Sequence, residues 1–143
     1  MFSWLMGNAS SIKRINFEDM RYCLQNKDNF IIINTLPETE QSCLIDTTIL
    51  ANDEVEIINE QINNPTKKIV IYGRNCNDEK VDEKHKQIIG LGLYNVCIYT
   101  GGLFEWLCLQ DIYGEDEFIT TGKVELLDYK PKKQLISNLL LTN

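Results

Sequence analysis

One cysteine of this chain, Cys76, lies where its thiol could act as a nucleophile. It follows the apolar run of residues 69–72 and precedes a charged segment that begins at Asp78. If that segment is a helix, its N-terminal amides and the nearby Arg74 would lower the pKa of the thiol. The thiolate is the reactive form of cysteine, so the loop has the residue types that nucleophilic chemistry requires.

Neighbours of Cys76 leave other interpretations open. Arg74 would bind an anionic substrate, or it would pair with Asp78 or Glu79 as a solvated loop arginine. Asp78 would cap the following helix and so occupy the amides that a bound anion needs. In that case Cys76 is a loop thiol that points to the side.

The other cysteines indicate neither a disulfide framework nor a metal site. The chain has five cysteines, an odd number, at irregular spacing and without a Cys-x-x-Cys pair, and its single histidine is His85. We therefore expect reduced thiols, a cytoplasmic location, and neither metal nor cofactor. Cys97 and Cys108 lie in apolar segments, and we expect both to be buried and unreactive.

Composition limits the classes of partner. The 143 residues suit one domain, and 43% hydrophobic with 24% charged residues is typical of globular proteins. A formal net charge of −7 repels phosphate backbones, so we expect no nucleic-acid partner. No stretch is long enough to span a bilayer, so we expect no transmembrane segment.

Alternating patterns of strand and helix position the loop. Continuous β-branched or apolar runs predict buried strands at residues 30–33, 69–72 and 95–99. Capping residues and helical spacing predict helices at about residues 17–26, 54–62, 78–89 and 103–110. This order predicts an α/β fold with a mostly parallel sheet flanked by helices on both faces. Sites in such sheets lie at the carboxyl ends of the strands, which selects the loops after Ile33 and Tyr72.

Two motifs follow the charged helix. The first is Leu91-Gly92-Leu93-Tyr94-Asn95-Val96, and the second is Gly101-Gly102-Leu103-Phe104-Glu105-Trp106. With the strand that ends in Tyr72, they resemble the rhodanese-homology domain. The resemblance covers about residues 15–114, so we expect a rhodanese-like domain there. The Ile-, Asn- and Lys-rich composition is similar to that of divergent members in large DNA viruses and protists, which would place the protein in a host cytoplasm or a virion.

Both ends of the chain lie outside that domain. Residues 1–14 form a predicted apolar arm in which Phe2, Trp4 and Leu5 either pack on the domain or act as a weak membrane or partner anchor. Residues 115–143 form a predicted C-terminal extension that packs on the domain, with a terminal helix at residues 134–141.

The resemblance implies a specific chemistry. Active family members use a cysteine directly after the strand's last aromatic residue, and it accepts sulfane sulfur as a persulfide. Inward-pointing loop amides stabilise that persulfide. The resemblance therefore implies a small anionic sulfur donor and a catalytic Cys76. The surrounding anion- or substrate-binding loop would consist of Gly73, Arg74, Asn75, Asn77 and Asp78.

This sequence departs from the family's pattern at the loop. Counting from Tyr72 puts the nucleophile's place on Gly73, and counting back from Leu91-Gly92 puts it on Asn75. Asn34 and Leu36 stand where the family commonly has an aspartate and an arginine. Residues 77–82 contain no arginine, which excludes the phosphatase chemistry of related domains.

Three functions follow as expectations. The first is a rhodanese-like module that is catalytically weak or inactive and acts on an unknown protein partner as an interaction or regulatory module. The second is a thiosulfate or sulfane sulfurtransferase with Cys76 as its persulfide-forming nucleophile. The third is a sensor in which Cys76 is modified without turnover.

Overall fold

Four short parallel strands form the centre of the molecule. The computed structural model describes residues 11–133. Its strands are β1 (Lys13–Ile15), β2 (Phe30–Asn34), β3 (Lys68–Tyr72) and β4 (Val96–Tyr99), arranged in the order β1-β4-β3-β2. Every neighbouring pair is parallel, which confirms the predicted sheet. The sequence pattern missed β1, because three residues are too few to show a strand period.

Four α-helices connect and cover these strands. They are α1 (Phe17–Gln25), α2 (Glu54–Asn63), α3 (Glu79–Gly90) and α4 (Gly102–Tyr113), each close to its predicted range. Asn16 caps α1, as expected for asparagine at this position, since its side chain accepts a hydrogen bond from the Asp19 amide. Single turns of 3-10 helix occur at Lys27–Asn29, Glu38–Glu40, Ala51–Asp53 and Leu126–Tyr129.

The two faces of the sheet carry separate hydrophobic clusters. Val70 and Tyr72 of β3 lie in the cluster formed with α1 and α4, which includes the buried Trp106. Ile69 and Ile71 point to the opposite face, where α2 and α3 pack. Helices therefore cover both faces, which is why β2, β3 and β4 are mainly apolar rather than alternating, whereas the edge strand β1 contains two exposed basic residues.

Residues 115–133 pack against the same domain. The Trp106 indole nitrogen donates a hydrogen bond to the Ile119 carbonyl at 3.1 Å, and the Trp106 and Phe118 rings meet edge to face with centroids 5.0 Å apart. β1 begins at Lys13, within the predicted arm, whereas Phe2, Trp4, Leu5 and the predicted helix 134–141 lie outside the described residues. The division into arm, domain and extension stays a prediction. Within residues 11–133, no helix is long and apolar enough to cross a membrane.

The hydroxyl of Tyr72 ties the segment after β2 to the sheet. This side chain is fully buried, its oxygen accepts a hydrogen bond from the Ile45 amide at 3.0 Å, and it lies 2.9 Å from Thr48 Oγ1. Burial raises the pKa of the Tyr72 phenol, so the group stays neutral.

We predict that Tyr72→Phe destabilises the fold by about 1–3 kcal/mol, because the buried Ile45 amide loses its acceptor. Urea denaturation followed by circular dichroism measures the change in the free energy of unfolding. Tyr22→Phe is the matched control, since Tyr22 is 60% exposed. Equal stability of the two variants would contradict the proposed anchoring by Tyr72.

Candidate functional site

The loop between β3 and α3 lies at the carboxyl ends of the strands and is held from both sides. On one side the Thr35 amide donates to the Tyr72 carbonyl at 3.1 Å. On the other side the Leu103 and Phe104 amides, at the start of α4, donate to the Gly73 and Arg74 carbonyls at 2.9 Å each. The loop backbone is therefore held by the residue that follows β2 and by the N-terminus of α4.

Gly102 makes this close approach between α4 and the loop possible. Its φ is +70°, and a Cβ at this position would lie 2.8 Å from the Gly73 carbonyl oxygen. Both features require glycine. The Gly101-Gly102 motif thus serves the contact between α4 and the loop.

The carboxylate of Asp78 occupies the centre of the loop. Its Oδ2 accepts hydrogen bonds from the Arg74 amide at 3.0 Å and the Thr35 hydroxyl at 2.9 Å. Its Oδ1 accepts from the Lys80 amide at 3.0 Å, which confirms Asp78 as the N-cap of α3. The chain's own carboxylate therefore takes amides that would otherwise be available to a bound anion.

No space exists at Gly73, the nucleophile's place when the count starts from Tyr72. A Cβ on Gly73 would lie 2.3 Å from Asp78 Oδ2, 2.6 Å from Val81 Cγ2 and 2.7 Å from Thr35 Oγ1. These distances are well inside van der Waals contact. Glycine is required here because neighbouring side chains converge on the position.

Asn75, the alternative place for the nucleophile, is a buried structural residue. Its side-chain nitrogen donates to the Tyr129 carbonyl at 2.9 Å, and its side-chain oxygen accepts from the Asn77 amide at 2.9 Å. Asn75 therefore fixes both the loop turn and the 3-10 helix Leu126–Tyr129. Both polar atoms of the Asn75 side chain are therefore engaged in hydrogen bonds within the chain.

Cys76 lies at the surface of the loop rather than over its amides. The residue is exposed, and its thiol makes its hydrogen bond with Asn77 Oδ1, at a sulfur–oxygen distance of 3.7 Å. Among residues 11–133 the thiol has no backbone amide as a partner. The thiol therefore does not share the backbone amides that bind the Asp78 carboxylate.

Arg74 is paired, although not with the expected residue. Its guanidinium forms an ion pair with Glu40 and not with Asp78 or Glu79, so the expectation of a pairing with either of those acids is wrong. The same group donates to the Asp128 carbonyl at 3.2 Å and lies 4.7 Å from the centroid of the Tyr129 ring. These contacts hold Arg74 against the C-terminal segment.

Asn34, at the end of β2, organises the backbone that follows this strand. Its side-chain nitrogen donates to Gln41 Oε1 at 3.1 Å and to the Ile49 carbonyl at 3.2 Å. Its side-chain oxygen accepts from the Leu36 amide at 3.0 Å, and Leu36 itself is buried. Both residues therefore have structural roles in this chain.

Sequence reasoning missed several residues of this region. Thr35 lies in the loop after β2, which the sheet pattern selects as a site loop, so the sequence could have indicated this residue. Glu40 and Tyr129 reach the loop only through tertiary packing and carry no local signal. Beside the loop lies a cleft of about 440 Å³ lined by residues that include Leu36, Pro37, Lys80, Lys130 and Lys132.

The four remaining cysteines are not all buried. Cys97 and Cys108 are only partly buried, so the expectation of full burial is wrong for both. Burial nevertheless raises the pKa of the Cys97 thiol to about 11 and raises that of Cys108 as well. Among the described residues, no group of three or more histidine, cysteine or acidic side chains is suited to hold a metal ion.

Comparison with solved structures identifies the fold. No family model matches the chain, and no curated protein matches its sequence. A protein of Bacillus halodurans superposes with a TM-score of 0.61 at 18% identity, covering 97% of this chain and 96% of its own.

Two further matches are sulfurtransferases. A thiosulfate sulfurtransferase of Pseudomonas aeruginosa gives a TM-score of 0.56 at 14% identity over 75% of this chain and 21% of that enzyme. A single-domain sulfurtransferase of Saccharomyces cerevisiae gives 0.51 at 17% identity over 73% and 95% of the two chains. At these identities the likeness concerns the fold alone, and the chain has the α/β fold of rhodanese-like domains, with a parallel sheet flanked by helices on both faces.

Proposed function

We propose that this protein is a rhodanese-like module that does not transfer sulfur at its loop and acts as a protein-interaction or regulatory module. The observation that carries the proposal is the position of Asp78. Its carboxylate accepts hydrogen bonds from two backbone amides of the β3–α3 connection and from the Thr35 hydroxyl. A persulfide or a thiosulfate group would have to displace this charge or lie next to it.

Two further features support the proposal. Gly73, one of the two positions that the counts give for the nucleophile, cannot hold a cysteine without movement of the Asp78, Val81 and Thr35 side chains. Arg74, the cation of the loop, is bound by Glu40 and the Asp128 carbonyl. A free arginine would attract an anionic sulfur donor, whereas a paired one has little positive potential to offer.

A sulfurtransferase that uses Cys76 is the second candidate. The observation in its favour is that this thiol is exposed and lies just before the N-terminus of α3. In that reaction the Cys76 thiolate would attack the sulfane sulfur of thiosulfate. The sulfur–sulfur bond of thiosulfate would break, sulfite would leave with the bonding electron pair, and Cys76 would become a persulfide.

A sensor role needs only modification of the same thiol by an oxidant.

The setting of the module is part of the proposal. Five free cysteines among the described residues are consistent with a reducing compartment, which supports a cytoplasmic location. The Ile-, Asn- and Lys-rich composition supports an origin in a large DNA virus or a protist. The net charge of −7 favours a protein partner over a nucleic acid.

We expect that incubation with thiosulfate, followed by removal of the excess, leaves the intact mass of the reduced protein unchanged. The reason is that the Cys76 sulfur is not held by loop amides that would stabilise a persulfide. Intact mass spectrometry checks this, with a known thiosulfate sulfurtransferase as the positive control. Gain of one sulfur atom that Cys76→Ser abolishes would establish the second candidate instead, and a gain that survives the substitution would point to another cysteine.

Removing the carboxylate of Asp78 should open the loop to anions. In Asp78→Ala the amides of Arg74 and Lys80 lose their acceptor, so thiosulfate or sulfate should bind there and raise the melting temperature relative to sodium chloride of equal ionic strength. We expect a shift of about 2–4 °C, which corresponds to about 1 kcal/mol of ligand binding in a chain of this size. Differential scanning fluorimetry measures it.

Glu79→Ala is the matched control for that measurement, because it removes an adjacent acid that makes no such bonds. Native protein and Glu79→Ala should show no thiosulfate-specific shift. An equal shift in all three proteins would mean that Asp78 does not block the loop.

A further inference from the structure

A groove at the amino ends of the strands lies at the opposite end of the sheet from the β3–α3 loop. Its volume is about 470 Å³, within the range of ligand-binding pockets. It is lined by the starts of β2 and β3, by the end of α1 and by the loop before β4. None of the residues that form the candidate site contributes to it.

Aromatic side chains form the rim of this amino-end groove. Tyr22 is 60% exposed and Tyr94 is 75% exposed, and Phe30, the first residue of β2, is partly buried. The rings of Tyr22 and Phe30 meet edge to face with centroids 6.3 Å apart. Tyrosine is one of the residue types enriched in surfaces that bind other proteins.

Two lysines give the groove a charge opposite to that of the whole chain. Lys67 and Lys68 both line it, and no aspartate or glutamate among the described residues does. Neither ammonium group forms an ion pair within residues 11–133, and Lys68 Nζ lies 5.9 Å from the centroid of the Phe30 ring. The groove is thus a local cationic site on a chain of net charge −7.

The backbone around the lysines is fixed. Gln61, which is buried, accepts hydrogen bonds through its side-chain oxygen from the Thr66 amide at 3.2 Å and the Lys67 amide at 3.0 Å. On the opposite wall the Gly92 amide donates to the Ile89 carbonyl at 2.9 Å. A fixed groove loses less conformational entropy when it binds a partner.

We infer that the amino-end groove binds a short segment of a partner protein that carries carboxylates next to a bulky apolar side chain. The carboxylates would pair with Lys67 and Lys68, and the apolar side chain would pack between Tyr22, Phe30 and Tyr94. A small inorganic anion would leave the aromatic rim unused, and two lysines are too few for a nucleic-acid backbone on an acidic chain. This inference rests on the proposed role in protein contacts and names the surface that makes them.

The test uses fluorescence anisotropy with a short fluorescein-labelled peptide of alternating Glu and Phe. The comparison probes are the same peptide with Gln in place of Glu and a single-stranded oligonucleotide. We expect the Glu-Phe peptide to bind the native protein and to bind Lys67→Glu/Lys68→Glu about tenfold more weakly, a loss of about 1.4 kcal/mol. Tyr94→Ser should weaken binding as well.

Lys86→Glu/Lys132→Glu is the matched control, because it changes the net charge equally at two exposed lysines that do not line the groove and that form no ion pair among the described residues. Melting curves verify that each variant folds. Absence of binding, equal binding by both charge variants, equal binding of the Gln peptide, or tighter binding of the oligonucleotide would each overturn the inference. Self-association of the native protein that Lys67→Glu/Lys68→Glu abolishes would also overturn it, since the occupant would then be a second copy. None of these outcomes depends on whether Cys76 accepts sulfur, so the groove and the proposed inactivity are tested separately.

Discussion

The hydrogen bonds of the Asp78 carboxylate determine what the carboxyl end of this sheet can do. One side chain joins the end of β2 through Thr35, the turn after β3 through the Arg74 amide, and the start of α3 through the Lys80 amide. Amides at such a turn and at a helix N-terminus favour negative charge. Here an intramolecular carboxylate supplies that charge, so the geometry that would attract an anion instead stabilises the fold.

The surrounding residues depend on this arrangement. Gly73 must lack a side chain because Asp78, Val81 and Thr35 converge on it, and Gly102 must lack one because α4 approaches the Gly73 carbonyl. Arg74 is turned to Glu40 and Tyr129, which links the loop to the C-terminal segment. The loop is thus tightly packed and internally hydrogen-bonded, and its centre is occupied by the Asp78 carboxylate.

The two ends of the sheet therefore differ in chemistry. At the carboxyl end, Asp78 and Arg74 are bound by groups of the chain itself, and the exposed Cys76 makes no hydrogen bond with a backbone amide among the described residues. At the amino end, exposed aromatic rings and two lysines without ion pairs among the described residues surround a concave surface. Unsatisfied surface groups of this kind are the ones that a partner can bind with a net gain in free energy.

Local sequence patterns suffice to predict the α/β class, the parallel sheet, the four helices and the cap at Asp78, because hydrophobic period and capping chemistry are local properties. They also locate the loop after Tyr72, since the carboxyl ends of parallel strands converge at one edge. Which side chains meet in that loop depends on tertiary packing. The pairing of Arg74 with Glu40, the crowding at Gly73 and the contact of Asn75 with Tyr129 join residues that are 34 or more positions apart or depend on side-chain direction. No local pattern encodes such contacts, because they arise from how helices and loops pack on the finished sheet.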